Sequence, residues 1–171
     1  KKKWITFVGK LNRAKGYDLF GKAVLKILNK YPDWKSIVIG DEPREKIYFE
    51  HKNLKILGFQ DYSNVLKWYK KSDICVVCSR WEEPFGRTAL EASSAGCAVI
   101  TTQRGGLPEA SPKSLKINNL TVKNLENSIK KLVTNDNFKR LLQRRIYKHF
   151  YLSSSYISNK IDNYRSKIIK V

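Results

Sequence analysis

Apolar positions along this chain fall into two alternating patterns. Short, nearly continuous apolar runs occupy Trp4–Gly9, Ser36–Gly40, Leu54–Leu57, Asp73–Cys78 and Ala98–Thr102, as expected of strands buried on both faces. Between them lie stretches in which apolar residues recur every three or four positions. In Tyr17–Lys30 these are Leu19, Phe20, Ala23, Val24, Ile27 and Leu28, one face of a helix. The same reading predicts helices over Tyr62–Lys71 and Gly86–Ala95 and a short helix near Arg44–Glu50. Further on it predicts a weak strand at Ser114–Ile117 and helices near Val122–Val133, Asn137–Phe150 and Ser155–Ile168. Alternating β and α with apolar strands predicts an α/β fold, a Rossmann-like doubly wound parallel sheet of about six strands with helices on both faces and further helices at the C-terminal end. In such sheets ligands bind outside the carboxyl ends of the strands, where strand order reverses. The loops after the first, fourth and fifth strands are therefore where chemistry is expected.

At about 100–200 residues per domain, a chain of 171 residues is expected to be one domain. It is large enough to bury a core without a disulfide framework. No stretch approaches ~18 uninterrupted apolar residues, which excludes a membrane-spanning helix. The chain opens Lys1-Lys2-Lys3-Trp4 and runs straight into a strand, with no initiator Met or signal-peptide core, and so reads as a piece of a longer protein. Tyr151-Leu152-Ser153-Ser154-Ser155 is the best candidate for a hinge, before the terminal helix.

The formal net charge is +19, from 34 Lys+Arg against 15 Asp+Glu. Its distribution changes what it implies. Residues 1–31 carry 9 basic and 1 acidic residue, residues 113–171 carry 14 and 3, and residues 32–112 carry 11 of each. No zinc-finger spacing, aromatic RNA-binding signature or basic-region heptad accompanies the excess, so nucleic acid is disfavoured as a partner. A solvated surface, a nucleotide substrate and an anionic membrane all fit. Cys75 and Cys78 form a C-x-x-C inside an apolar strand, where residues three apart face opposite ways, so a shared metal or redox site is not expected. Cys97 reads as a small core residue. Three unpaired cysteines in apolar settings suit a reducing compartment, so the expected location is the cytoplasm, with peripheral contact to the inner face of the membrane as an option. The only two histidines, His51 and His149, read as surface residues and supply no triad or metal cluster.

After the first strand, Gly9-Lys10-Leu11-Asn12-Arg13-Ala14-Lys15-Gly16 brings cations to the start of a helix. It is neither a P-loop nor G-x-G-x-x-G, and it reads equally as an anion site or a solvated basic turn. After the fourth strand, Ser79-Arg80-Trp81-Glu82-Glu83-Pro84-Phe85-Gly86-Arg87-Thr88-Ala89-Leu90-Glu91 is more specific. Pro84, Phe85 and Gly86 open a helix whose unpaired N–H groups can hold a diphosphate. Glu91, among small residues one to two turns in, can accept hydrogen bonds from a ribose diol. Glu83 precedes the helix, placed to meet hydroxyls of whatever the diphosphate carries. Against this, acidic residues near a helix start are favoured by the dipole alone. After the fifth strand, Gly105-Gly106 in Gln103-Arg104-Gly105-Gly106-Leu107-Pro108-Glu109 allows close backbone approach to a ligand, or simply a tight turn.

The three loops in this order resemble the retaining glycosyltransferases of the GT4 family (group 1), specifically the C-terminal donor-binding domain of the GT-B fold. The resemblance rests on Phe7-Val8-Gly9-Lys10-Leu11 with Lys15-Gly16, Val38-Ile39-Gly40-Asp41, Ile56-Leu57-Gly58-Phe59, the spacing of Glu83 and Glu91 around Pro84-Phe85-Gly86, and Gly105-Gly106-Leu107-Pro108-Glu109. It implies a nucleoside diphosphate sugar as donor substrate and transfer with retention, with no cofactor and no metal. Lys10 and Lys15 match the cationic pair on the diphosphate, and Glu83 the glutamate near the donor sugar. Glu91 matches the ribose contact. Phe85, Gly86 and Arg87 match the segment at the diphosphate, and Gly58-Phe59 the turn beside the base. Gly9, Gly105 and Gly106 complete the nucleotide side. Two departures stand out: Lys10 where the family usually has Arg, and Ala110-Ser111-Pro112-Lys113-Ser114 where it usually has a glycine-containing loop. The acceptor, a glycan or lipid, would be held by an N-terminal half, so this chain alone is expected to be inactive. A non-catalytic nucleotide-binding module and a basic domain binding nucleic acid or acidic surfaces are the alternatives.

Overall fold

The computed structural model describes residues 1–169. Its strands are β1 (Lys2–Val8), β2 (Lys35–Ile39), β3 (Leu54–Ile56), β4 (Ser72–Val77), β5 (Ala98–Thr102) and β6 (Leu115–Ile117). Its helices are α1 (Tyr17–Lys30), α2 (Tyr62–Lys71), α3 (Arg87–Ser94), α4 (Leu107–Ala110), α5 (Val122–Thr134), α6 (Asp136–Lys148) and α7 (Ser154–Ile169). The apolar runs pair into one all-parallel sheet of order β3-β2-β1-β4-β5-β6. All six residues of β4 are buried, as a central parallel strand requires. Both outer strands are short and read Leu-Lys-Ile.

Right-handed crossovers running outward in opposite directions from β1 and β4 put their helices on opposite faces. Accordingly α1 packs with α5, and α2 with α3. The helix starts are fixed by side-chain caps. Asp61 accepts the Asn64 N–H at 2.8 Å, Thr121 that of Asn124 at 3.1 Å, and Asn135 that of Phe138 at 2.8 Å. Because the order reverses between β1 and β4, the loops leaving these strands at their carboxyl ends enclose a crevice.

The short helix expected near Arg44–Glu50 does not form. Beyond a turn at Pro43–Glu45 the segment is irregular, with Ile47 and Phe49 half-buried and Lys46, Tyr48 and Glu50 exposed. That is a period of two, which turns Ile47 and Phe49 toward the core without a helix. Phe49 stands edge-on to Tyr17, ring centroids 5.5 Å apart. Its ring occupies the space a Cβ at Gly21 would need. Cys75, Cys78 and Cys97 are buried free thiols, and burial raises the pKa of Cys78 to about 12 and of Cys97 to about 11, so they are unreactive core residues. The basic C-terminal region is not wholly a solvated surface. Lys139 is buried, bonded to Asp73 and Asp136 at 2.9 Å each, and lies over the Trp34 ring. No helix among the described residues is long and apolar enough to cross a membrane.

Candidate functional site

The crevice holds a cavity of about 320 Å³. Phe7, Val8, Gly9 and Lys15 line it from the β1 side; Val77, Ser79, Glu83, Pro84, Phe85, Gly86, Arg87 and Thr88 line it from the β4 side. It opens on the N-terminus of α3, whose first turn has free N–H groups. Gly86, at φ 89°, caps that helix with its backbone and no side-chain hydrogen bond. A Cβ at Gly86 would press on the end of the Leu107 side chain, and the left-handed backbone is what calls for glycine.

The walls are held by contacts between the three loops. The Arg80 N–H donates to the Ala14 carbonyl at 2.8 Å, and the Trp81 N–H to the same oxygen at 3.1 Å. Gly16, at φ 74°, lies so close to the end of β4 that an added Cβ would sit 2.0 Å from the Cys78 carbonyl oxygen. Arg80 also spans to Asp18 with two bonds of 2.6 and 2.9 Å, and this guanidinium lowers the Asp18 pKa against a burial effect that raises it. On the other side the Gly106 N–H donates to the Glu83 carbonyl at 2.7 Å. Gly105 and Gly106 have no room for side chains against the backbones of Glu83 and Phe85. The glycine pair therefore buttresses the cavity wall from behind and does not line it.

Lys15 donates to both oxygens of Glu83, at 2.6 and 2.8 Å. The two side chains are 31% and 12% exposed. Glu91 lies farther along α3, half-buried, with the Arg87 guanidinium 3.5 Å from its carboxylate. Burial raises the Glu91 pKa, and Arg87 offsets that only in part. Of the residues expected from the sequence, Gly9, Lys15, Glu83, Phe85, Gly86 and Arg87 thus share one cavity. Lys10 is exposed and lines a different hollow, with Asp41, Glu42, Pro43 and Arg44. Gly58 and Phe59 follow β3, the Phe59 side chain largely exposed. Sequence reasoning missed the bracing roles of Arg80 and Asp18, which lie 62 residues apart. Their only signal was a cation just past a strand end and an acid in the first turn of a helix.

An all-parallel sheet of this order, with a crevice at its point of reversal, defines a Rossmann-like α/β ligand-binding domain. Residues 1–149 match the model of the family described as glycosyl transferases group 1, and the chain belongs to that family. It is 32% identical over 118 residues to the lipopolysaccharide core biosynthesis mannosyltransferase LpsB of Rhizobium meliloti (strain 1021), covering 63% of this chain and 33% of that protein. It is 31% identical over 121 residues to spore coat protein SA of Bacillus subtilis (strain 168), covering 63% and 32%. The chain thus spans about a third of the length of these curated relatives. The crystal structure of the C-terminal domain of a glycosyl transferase group 1 family protein (LpcC) from Francisella tularensis superposes with a TM-score of 0.76 at 27% identity, covering 85% of this chain and 82% of that one. Anabaena Alr3699/HepE in complex with UDP and glucose shares the fold, with a TM-score of 0.77 at 19% identity over 97% of this chain and 48% of that one. The fold is that of a GT-B C-terminal domain.

Proposed function

We propose that this chain is the donor-binding part of a glycosyltransferase that takes a nucleoside diphosphate sugar and transfers the sugar with retention of anomeric configuration. The observation that carries the reading is the cavity at the β1–β4 reversal, where Lys15, Glu83 and the N-terminus of α3 converge. In the reaction the bond from the anomeric carbon to the diphosphate oxygen breaks with its electron pair leaving on the diphosphate. The acceptor hydroxyl oxygen bonds to that carbon and gives up its proton to the departing diphosphate oxygen. Negative charge grows on the departing diphosphate, and Lys15 with the α3 N–H groups would stabilise it, a role that metal ions fill in other enzymes. Lys10 would add a second cation from the same loop at longer range. Glu91 would accept hydrogen bonds from the ribose hydroxyls, Gly58-Phe59 would flank the base, and Glu83 would meet the sugar. The acceptor would be held outside this chain, which alone would then be inactive.

Relatives named for lipopolysaccharide core and spore coat support an acceptor in surface polysaccharide assembly. The basic ends of the chain support peripheral contact with an anionic membrane on the cytoplasmic side, which co-sedimentation with phosphatidylglycerol vesicles would register. The central reading is tested by calorimetric titration with UDP, GDP, ADP and CDP. One of them is expected to bind, and Glu91→Ala to weaken it by about 1–3 kcal/mol, the loss of charge-assisted hydrogen bonds. Unchanged affinity in a folded Glu91→Ala protein would remove the ribose assignment. Turnover of the full-length enzyme is expected to survive EDTA.

A further inference from the structure

We propose that Glu83 is an internal anion holding Lys15 in place of the donor's diphosphate, so that donor enters by an exchange of partners and the site favours intact nucleotide sugar over the nucleoside diphosphate left after transfer. The inference rests on the functional reading above and goes beyond it in assigning Glu83 a part in selecting between substrate and product.

The ammonium that should meet the phosphates is already engaged by both Glu83 oxygens. With Glu83 only 12% exposed, water can do little to replace Lys15 as its partner. The backbones on both sides are pinned. The Lys15 N–H donates to Asn12 Oδ1 at 2.9 Å, its neighbour Gly16 abuts Cys78, and the Glu83 carbonyl accepts from Gly106. These contacts tie the two loops together, so the exchange is assigned to the side chains.

A diphosphate seated at the start of α3 would compete with the Glu83 carboxylate for one ammonium, and like charges would meet in a small cavity. An intact donor compensates, because its sugar hydroxyls can donate to the released carboxylate. The product nucleotide brings no such donors. It leaves Glu83 charged, half-enclosed and facing added negative charge. The pair thus weakens product binding more than donor binding, and it does so with no residue beyond the two.

The test compares wild type with Glu83→Gln, which keeps the shape and removes the charge. The probes are inorganic pyrophosphate, the nucleoside diphosphate that binds best in the panel above, and its sugar conjugate. Glu83→Gln is expected to bind pyrophosphate and the nucleoside diphosphate about three- to tenfold more tightly, as release of a half-buried ion pair should allow. The gain should be larger at low salt and smaller for the sugar conjugate, so that discrimination falls. Adding Lys15→Ala should abolish the gain. Glu83→Asp, with the carboxylate drawn back by one methylene, should fall between and serves if the glutamine variant does not fold. No gain for either anion overturns the exchange. If nucleotide binding still depends on Glu91 in that case, the functional reading survives; if pyrophosphate shows the gain but nucleotide binding ignores Glu91, the exchange stands and the nucleotide assignment falls.

Discussion

If Glu91 holds the ribose as proposed, two demands on its carboxyl group pull in opposite directions. Burial favours the neutral form and raises the pKa from its ordinary 4.5, whereas a ribose diol donating hydrogen bonds favours the charged form. A raised folded pKa means that ionised Glu91 costs stability above that pKa, and that the cost disappears as pH falls through it. With Glu91 on the ribose as proposed, donor binding should follow the reverse course, strongest when the carboxylate is charged and lost as it is protonated. Affinity for a nucleotide sugar is therefore expected to fall as pH drops from neutrality through a pKa above the ordinary value, while the apo fold gains from the same proton. A sugar conjugate is the right probe, because a terminal phosphate titrates near pH ~6 on its own. Glu91→Gln should bind more weakly and show a flat profile by calorimetry from about pH 7 to 5; a slope equal to wild type would assign the titration to another group.

Among the elements, α6 is held in a way its sequence conceals. Lys139 reads as one more cation of a basic helix, yet its ammonium is buried against Asp73 at the head of β4, 66 residues away, and Gln143 donates to the Asp73 carbonyl. Removing one partner of such a pair leaves the other charge enclosed. Lys139→Met is expected to cost about 3 kcal/mol in urea unfolding, and most of it should return when Asp73→Asn is added. Additive losses would mean the two residues act separately. The strands and most helices were legible because periodicity is local, a property of neighbouring residues. The segment from Arg44 to Glu50 was not, since its alternation was short and the surface that gives it meaning, Gly21 and Tyr17 on α1, is distant in sequence. The cavity was legible as the loops after β1 and β4, because Lys15, Glu83 and Gly86 mark strand exits and a helix start. Its internal bracing was not. That Ala14 lies under Arg80, or that Gly105 backs Glu83, follows only once the sheet order is known.

For the molecule as a whole, the matched family region ends at residue 149, close to the end of α6, and α7 follows with no buried residue. Helix α7 therefore adds no side chain to the buried core. A sheet must also stop somewhere, and here both borders are the same tripeptide, Leu54-Lys55-Ile56 and Leu115-Lys116-Ile117. An outermost strand offers unpaired peptide groups to any other extended chain, and two apolar residues flanking the centre would make a good template for stacking. Three residues provide a poor footing for such growth, and a lysine in the middle of each makes every added copy bring like charge against like. Shortness and a central charge thus work against pairing of either border with another chain. Lys55→Val with Lys116→Val is expected to raise light scattering on mild heating while leaving the unfolding midpoint in dilute solution nearly unchanged. If scattering stays at the wild-type level, brevity alone protects the two borders.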